Sequence, residues 1–252
     1  MAERFAALAA SAPDPDRAVA ATPGWSILDT LGHVAMEPSR YNDLAKGGGT
    51  WPARSSELPA FNAEQIRTLP TRDPQRLAEK LITDTDELLG TIAAFGTESP
   101  LMNFDGDQRI RADRSLGTLL GEFVIHGRDI ARSLDVRWPV DHSLVPLILD
   151  GLHQVMPGWL NPDRAAGHTA AYRVRLRGLH ITHTYVISDG RLAVDPAEDV
   201  DVDVHISANP ATWLLLSYGR VDQWTPALTG RVLVWGRKPW LATGFSRLFH
   251  SA

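Results

Sequence analysis

The chain has 252 residues, 44% of them apolar and 22% charged, with a formal net charge of −5 and no cysteine. That length holds one large domain or two ordinary ones. The acidic balance, without a basic stripe, argues against the clustered phosphate contacts of a nucleic-acid binder, and the lack of cysteine excludes disulfides, thiolate ligands and a protein sulfur nucleophile, so any thiol chemistry must draw its thiol from solution.

No apolar run nears the roughly 20 residues of a membrane span. The first ten residues carry Glu3 and Arg4 and no long apolar stretch, unlike a signal peptide. The expected location is the cytoplasm, with no membrane partner.

Arg4 to Ala10 opens the chain as a short amphipathic segment, ended by the Pro/Asp cluster from Pro13 to Asp16. Ser26 is a good N-cap, and Asp29 falls in the first turn, where negative charge is favoured; together they predict a helix from about Ile27 to Lys46 that carries His33. Gly47-Gly48-Gly49 ends it. No Lys-Ser/Thr follows the triplet, so it reads as a loop rather than a phosphate cradle.

Phe61 to Thr68 reads as a short helix and Pro74 to Phe95 as a long one, with Leu77, Leu81, Leu88, Leu89 and Ile92 at helical spacing. Ser115 to Ser133 is the fourth, with Leu116, Leu119, Leu120, Phe123 and Ile130 apolar. These four predict an antiparallel bundle. A further helix, Ser143 to Met156, follows the break at Pro139.

Beyond Pro157 the periodicity changes from helical to alternating. Ala171 to Arg177, Ile181 to Ile187, Val200 to Ser207 and Gly230 to Trp235 read as strands, with turn chemistry at Ser188-Asp189-Gly190. Asn209-Pro210 starts a helix through Tyr218, and Pro239 to Phe249 closes the chain as another. The expected fold class is α+β in two domains, divided near residue 160 into 1–160 and 161–252.

Glu122 and His126 are four apart and share one helix face. With His33 from another helix, three ligand-type side chains can converge inside a bundle and leave coordination positions open. The alternative for Glu122 and His126 is a surface pair. Against it, Glu122 falls among apolar positions beside Phe123, and a buried carboxylate needs a cationic partner. Asp29 and Asp129 are candidates for orienting the imidazoles from behind. His180, His183 and His205 read as sheet-face residues, and His153 carries no pattern.

Two segments carry a family resemblance: Pro23-Gly24-Trp25 followed by Asp29 and His33, and Glu122 followed by His126 and Asp129. Together they resemble the mycothiol-dependent maleylpyruvate isomerase family within the DinB-like helical-bundle superfamily. The second half, from Asp201-Val-Asp-Val-His through Leu-Thr-Gly-Arg-Val-Leu-Val-Trp-Gly-Arg, resembles the sterol-carrier-like domain often fused to that bundle. The resemblance implies a DinB-like four-helix bundle followed by a sterol-carrier-like α+β domain, with His33, Glu122 and His126 binding a divalent metal, usually zinc. It implies a small-molecule electrophile and a low-molecular-weight thiol as partners. Mycothiol as that thiol follows from the family together with a composition in which 22 of 25 basic residues are Arg, typical of a high-GC actinobacterial genome.

The metal would deprotonate the thiol. The thiolate would then either isomerise a cis-enoic acid by reversible addition or transfer sulfur to the substrate. The family analogy also points to an Arg in the second domain as carboxylate clamp, with Arg220 the candidate and Arg231 and Arg237 behind it. Two other readings stay open: a hydrolase using metal-bound water, and a non-catalytic apolar-ligand binder built on the second domain.

Overall fold

The structure is a computed structural model that describes residues 1–52, 54–104 and 108–250; positions 53, 105–107 and 251–252, the last two ending the expected second domain, lie outside the described residues. The chain separates into two compact units, residues 1–140 with 150–152, and 141–149 with 153–252. This division assigns most of the helix around residue 150 to the second unit, whereas the sequence expectation drew the line near 160.

In the first unit, helix α1 (Ala2–Ala10) buries Phe5, Ala6 and Ala9 completely or nearly so. Helix α2 (Ile27–Ala45) begins with a reciprocal cap: Asp29 N–H donates to Ser26 Oγ at 3.1 Å, and Ser26 N–H donates to Asp29 Oδ2 at 2.9 Å. Two orphan amides are satisfied at once, which fixes where the helix starts. Helix α3 (Leu58–Arg67) is largely exposed, with Leu58 its one buried residue. Helix α4 (Pro74–Ala94) follows, capped by Asp73 and burying Leu77, Leu81 and Leu88. Helix α5 (Ala112–Ser133) buries Leu119, Phe123, Val124 and Ile130.

The bundle packs α1, α2, α4 and α5 against one another. The sequence had counted the segment at 61–68 in place of α1. Nine residues with three fully inward side chains bury more apolar surface than ten with one, so the short amphipathic start takes the fourth position. A hairpin of β1 (Leu101–Phe104) and β2 (Gln108–Arg111) was not expected from the sequence. It places Met102, Phe104 and Ile110 inward, and its strands are too short to establish an alternating pattern.

In the second unit, α6 (Val145–Trp159) and the short α7 (Pro162–Ala165) precede the sheet strands β3 (Ala170–Leu176), β4 (Ile181–Ser188), β5 (Arg191–Val194), β6 (Val204–Ala208) and β7 (Val232–Gly236). Strand order is β5-β4-β3-β6-β7, antiparallel except where β3 and β6 run parallel in the centre. Alternation sends Tyr172, Val174, Leu176, Tyr185, Ile187, Val204 and Ile206 into the core. Helix α8 (Pro210–Ser217), helix α9 (Trp224–Leu228) and a 3-10 helix, Pro239–Leu248, complete the unit. The two-domain α+β architecture is the one the sequence predicts. No helix among the described residues is long and apolar enough to cross a membrane.

Candidate metal centre

The approach to α2 is a tight turn. Trp25 N–H donates to Thr22 C=O at 3.0 Å, with Pro23 and Gly24 between them and Gly24 at φ +88°. This is the type II pattern, in which the third position requires a left-handed backbone that glycine adopts without a Cβ clash. The turn sets the Trp25 ring 5.0 Å from the His33 ring and 6.2 Å from the His126 ring, nearly parallel to the latter. The Pro-Gly-Trp motif therefore acts as a backstop for two imidazoles.

His33 on α2 and Glu122 and His126 on α5 converge. Glu122 Oε2 lies 3.1 Å from His126 Nε2 and 3.7 Å from His33 Nε2. Ligands bound tetrahedrally at about 2.0–2.1 Å stand roughly 3.3 Å apart, so these separations bracket what a cation needs. Both imidazoles are buried, while 21% of the Glu122 side chain is exposed, leaving an approach for a small molecule. The donor set of two imidazoles and one carboxylate, held on two rigid helices, fits a divalent cation.

The electrostatics follow from that crowding. Burial pushes the Glu122 carboxyl up, but hydrogen bonds and attraction from His126 and His33 prevail and hold it well below the ordinary carboxylate range. Burial disfavours charge on His33, yet Glu122 and Glu37, helped by Gln65, raise its pKa above the usual imidazole value. Glu37, one turn along α2, is pushed up by burial despite the Arg40 guanidinium beside it.

The groups behind the ligands differ from those expected. Asp29 is taken by the helix cap and by Arg72, which donates to its Oδ1 at 2.9 Å. It orders the start of α2 and is not bonded to an imidazole. Gln65 on α3 does that work: its Oε1 is 2.9 Å from His33 Nδ1, with Glu37 Oε1 at 3.6 Å. With Gln65 accepting from Nδ1–H, the Nε2 lone pair faces the ligand cluster. No sequence motif marks Gln65, because it comes from a segment with weak periodicity 32 residues away. Asp129 is buried one turn beyond His126, with Oδ1 3.8 Å from Arg128 Nη1. His126 Nδ1 is buried without a hydrogen-bond partner among the described residues, so the Trp25 stack orients this ring.

A second feature missed in the sequence is Arg40. Its guanidinium lies 4.6 Å from the Trp51 ring and 4.7 Å from the Phe61 ring, and Nη2 donates to Glu37 Oε1 at 2.6 Å. Its Nη1 is buried with no hydrogen-bond partner among the described residues. Trp51 in turn stacks on Phe104 at 4.1 Å. Arg220 lies in the second unit, half-buried, with Nη1 donating to Tyr218 C=O at 3.1 Å.

The family described as Mycothiol maleylpyruvate isomerase N-terminal domain matches residues 1–131, and the SCP-2 sterol transfer family matches residues 152–249. Among solved structures, the chain is similar to a mycothiol-dependent maleylpyruvate isomerase carrying a histidine-to-alanine substitution, at 15% identity and TM-score 0.54, over 87% of this chain and 85% of that one. It is also similar to the unsubstituted mycothiol-dependent maleylpyruvate isomerase, at 15% identity and TM-score 0.50, over 88% and 86%. At that identity the likeness is one of fold. None of the curated proteins compared with the chain matches it. With just over half of its length matched, and with the His33–Glu122–His126 cluster behind its Pro-Gly-Trp turn, the chain belongs to the mycothiol maleylpyruvate isomerase N-terminal domain family, joined to an SCP-2 domain.

Proposed function

We propose that the chain is a thiol-dependent, divalent-metal enzyme that uses mycothiol to isomerise a cis-enoic acid of the maleylpyruvate type. The observation that carries this is the convergence of His33, Glu122 and His126 in a protein without cysteine. Two neutral imidazoles and one carboxylate bring a single negative charge to a dication. A buried centre then favours one further anion, and a small-molecule thiolate supplies it. His33, Glu122 and His126 would hold a divalent cation such as zinc, which would lower the pKa of a coordinated thiol from about 8.5 and so favour its thiolate at neutral pH. The names of the structurally similar isomerases point to the same thiol and substrate class.

The steps of the reaction balance without a redox partner. The thiolate sulfur adds to the cis carbon–carbon bond, and the displaced electron pair moves onto the conjugated carbonyl as an enolate. The former double bond, now single, rotates. The pair returns, the carbon–sulfur bond breaks, and the trans acid and the thiolate leave. Within this scheme the protein residues hold and orient. Trp25 fixes the two imidazole planes, Gln65 fixes the His33 tautomer, and Glu122 supplies the one anionic donor of the cluster.

Those carboxylates need a cationic partner. Arg40 offers an Nη1 without a hydrogen-bond partner among the described residues, in the same unit as the cluster, with the Trp51 and Phe61 rings packed against its guanidinium; Arg220 is the candidate from the second unit.

The test compares wild type with His33→Ala/His126→Ala. The substituted protein is expected to hold one cation fewer per chain and to lose thiol-dependent isomerisation of maleylpyruvate. Turnover without added thiol, or a product that retains the thiol, would overturn the isomerase reading in favour of hydrolysis or sulfur transfer. Arg40→Lys should raise KM for the dicarboxylate by about 10-fold, the loss of one charge-assisted hydrogen bond from Nη1, while metal content stays unchanged.

A further inference from the structure

We propose that the second unit holds its own cation site, formed by His153 on α6, His183 on β4 and Asp195 immediately after β5, and suited to a divalent transition metal. One ligand-type atom from each of the three lies within 4.8 Å of the others. From sequence alone His183 is a sheet-face residue and His153 carries no pattern. The chain fold joins them with a carboxylate that neither spacing nor periodicity reveals.

The geometry is that of a prepared ligand. Asp195 Oδ2 lies 2.7 Å from His183 Nδ1, and Asp195 Oδ1 accepts the Thr184 N–H at 2.6 Å. Asp195 N–H in turn donates to Thr184 C=O at 2.7 Å. The carboxylate is thus tied to the strand on which His183 sits. Asp195 holds this position at φ +48°, in the left-handed region, which aspartate reaches with the help of local hydrogen bonds such as these. A backbone held there is sustained by its surroundings, and here those surroundings point the carboxylate at an imidazole.

A carboxylate on Nδ1 keeps the proton on that nitrogen, so Nε2 carries the lone pair. Metal-binding histidines share this arrangement, in which the far nitrogen donates to a carboxylate and the near one ligates. His183 Nε2 is buried and has no hydrogen-bond partner among the described residues. A lone pair left bare in that position loses its water without compensation, and a cation supplies the compensation. His153 stands edge-on to it with ring centroids 4.4 Å apart. It is itself buried, with Nε2 2.8 Å from the Tyr185 hydroxyl. Burial pushes the Tyr185 hydroxyl far above its ordinary pKa, so it stays a neutral hydrogen-bond partner to His153. Two imidazole donors, one of them backed by a carboxylate and neither accompanied by a thiolate, suit zinc, nickel or copper better than the hard cations, which prefer all-oxygen shells.

The site is tested in the full chain with the bundle centre removed by His33→Ala/His126→Ala. The metal-free protein is titrated with cobalt(II) and followed by its visible absorption, then with zinc by calorimetry. The expected result is one equivalent bound. Adding Asp195→Asn should weaken binding 10–100-fold, the usual effect of losing such a carboxylate, and adding His183→Gln should abolish it. Far-ultraviolet circular dichroism checks that each protein is folded. If His183→Gln does not fold, the Asp195→Asn titration decides the question. No binding to the folded double variant, or binding that Asp195→Asn and His183→Gln leave unaltered, overturns the proposal. Either result leaves the bundle centre untouched.

Discussion

Gln65 is the residue whose removal most directly tests how the bundle centre is built. Gln65→Met keeps the length and volume of the side chain and deletes the acceptor 2.9 Å from His33 Nδ1. The next oxygen, Glu37 Oε1, is 3.6 Å away, too far for a good hydrogen bond, and is already held by Arg40. His33 Nδ1–H is then a buried donor without a partner, a cost of about 1–3 kcal/mol. That corresponds to about 5- to 150-fold in metal affinity, because the ligating tautomer is the one penalised. It overlaps the 10- to 100-fold typical of groups that orient metal-bound histidines. The assay is competition for zinc against a chromogenic chelator, with the thermal midpoint of the metal-free protein as a control. Expected is a loss of at least 10-fold in affinity with a much smaller relative change in the metal-free midpoint. Affinity within twofold of wild type would refute the assignment and leave Trp25 packing as what orients His33.

Two further outcomes follow from the same contacts. In the metal-free protein, His33 has a folded pKa above its unfolded value, so its contribution is full below about pH 6.5 and is lost as pH rises through the folded pKa. Glu122 has a folded pKa below its unfolded value, so its contribution is full above about pH 4.5 and is lost only as pH falls toward that lower value. Chelator-treated protein should therefore lose thermal stability between pH 6.5 and 8. Metal-loaded protein should gain it over the same interval, since cation and proton compete for His33; parallel profiles would count against His33 as a ligand. Gly127→Ala, adjacent to His126, would set a Cβ 2.2 Å from Trp138 Cζ2, whose ring is anchored by an Nε1–H bond to Val124 C=O at 3.0 Å. A destabilisation of about 1–3 kcal/mol is expected, read by denaturant unfolding, and a change under 0.5 kcal/mol would show that Trp138 moves aside freely.

The sequence by itself determined the two-domain plan and singled out His33, Glu122 and His126 as candidate metal ligands. Helical periodicity in α4 and α5, the Ser26/Asp29 cap and the alternating strands are local patterns, set by the 3.6- and 2-residue repeats of the backbone. Glu122 and His126 were legible as a pair for the same reason, and His33 through the Pro-Gly-Trp turn and the family it resembles. What escaped was non-local or too short to repeat. The β1–β2 hairpin has four residues a strand, and α1 displaced a longer helix from the bundle by how deeply three side chains pack. Asp29 looked like an orienting acid, but a cap lies three residues away while an imidazole needs the partner that packing brings. Gln65 reaches His33 across 32 residues, and His153 reaches His183 across 30 positions of chain. Only the tertiary structure decides such meetings. Spacing along a chain fixes which side chains share a face, whereas packing between elements decides what that face meets.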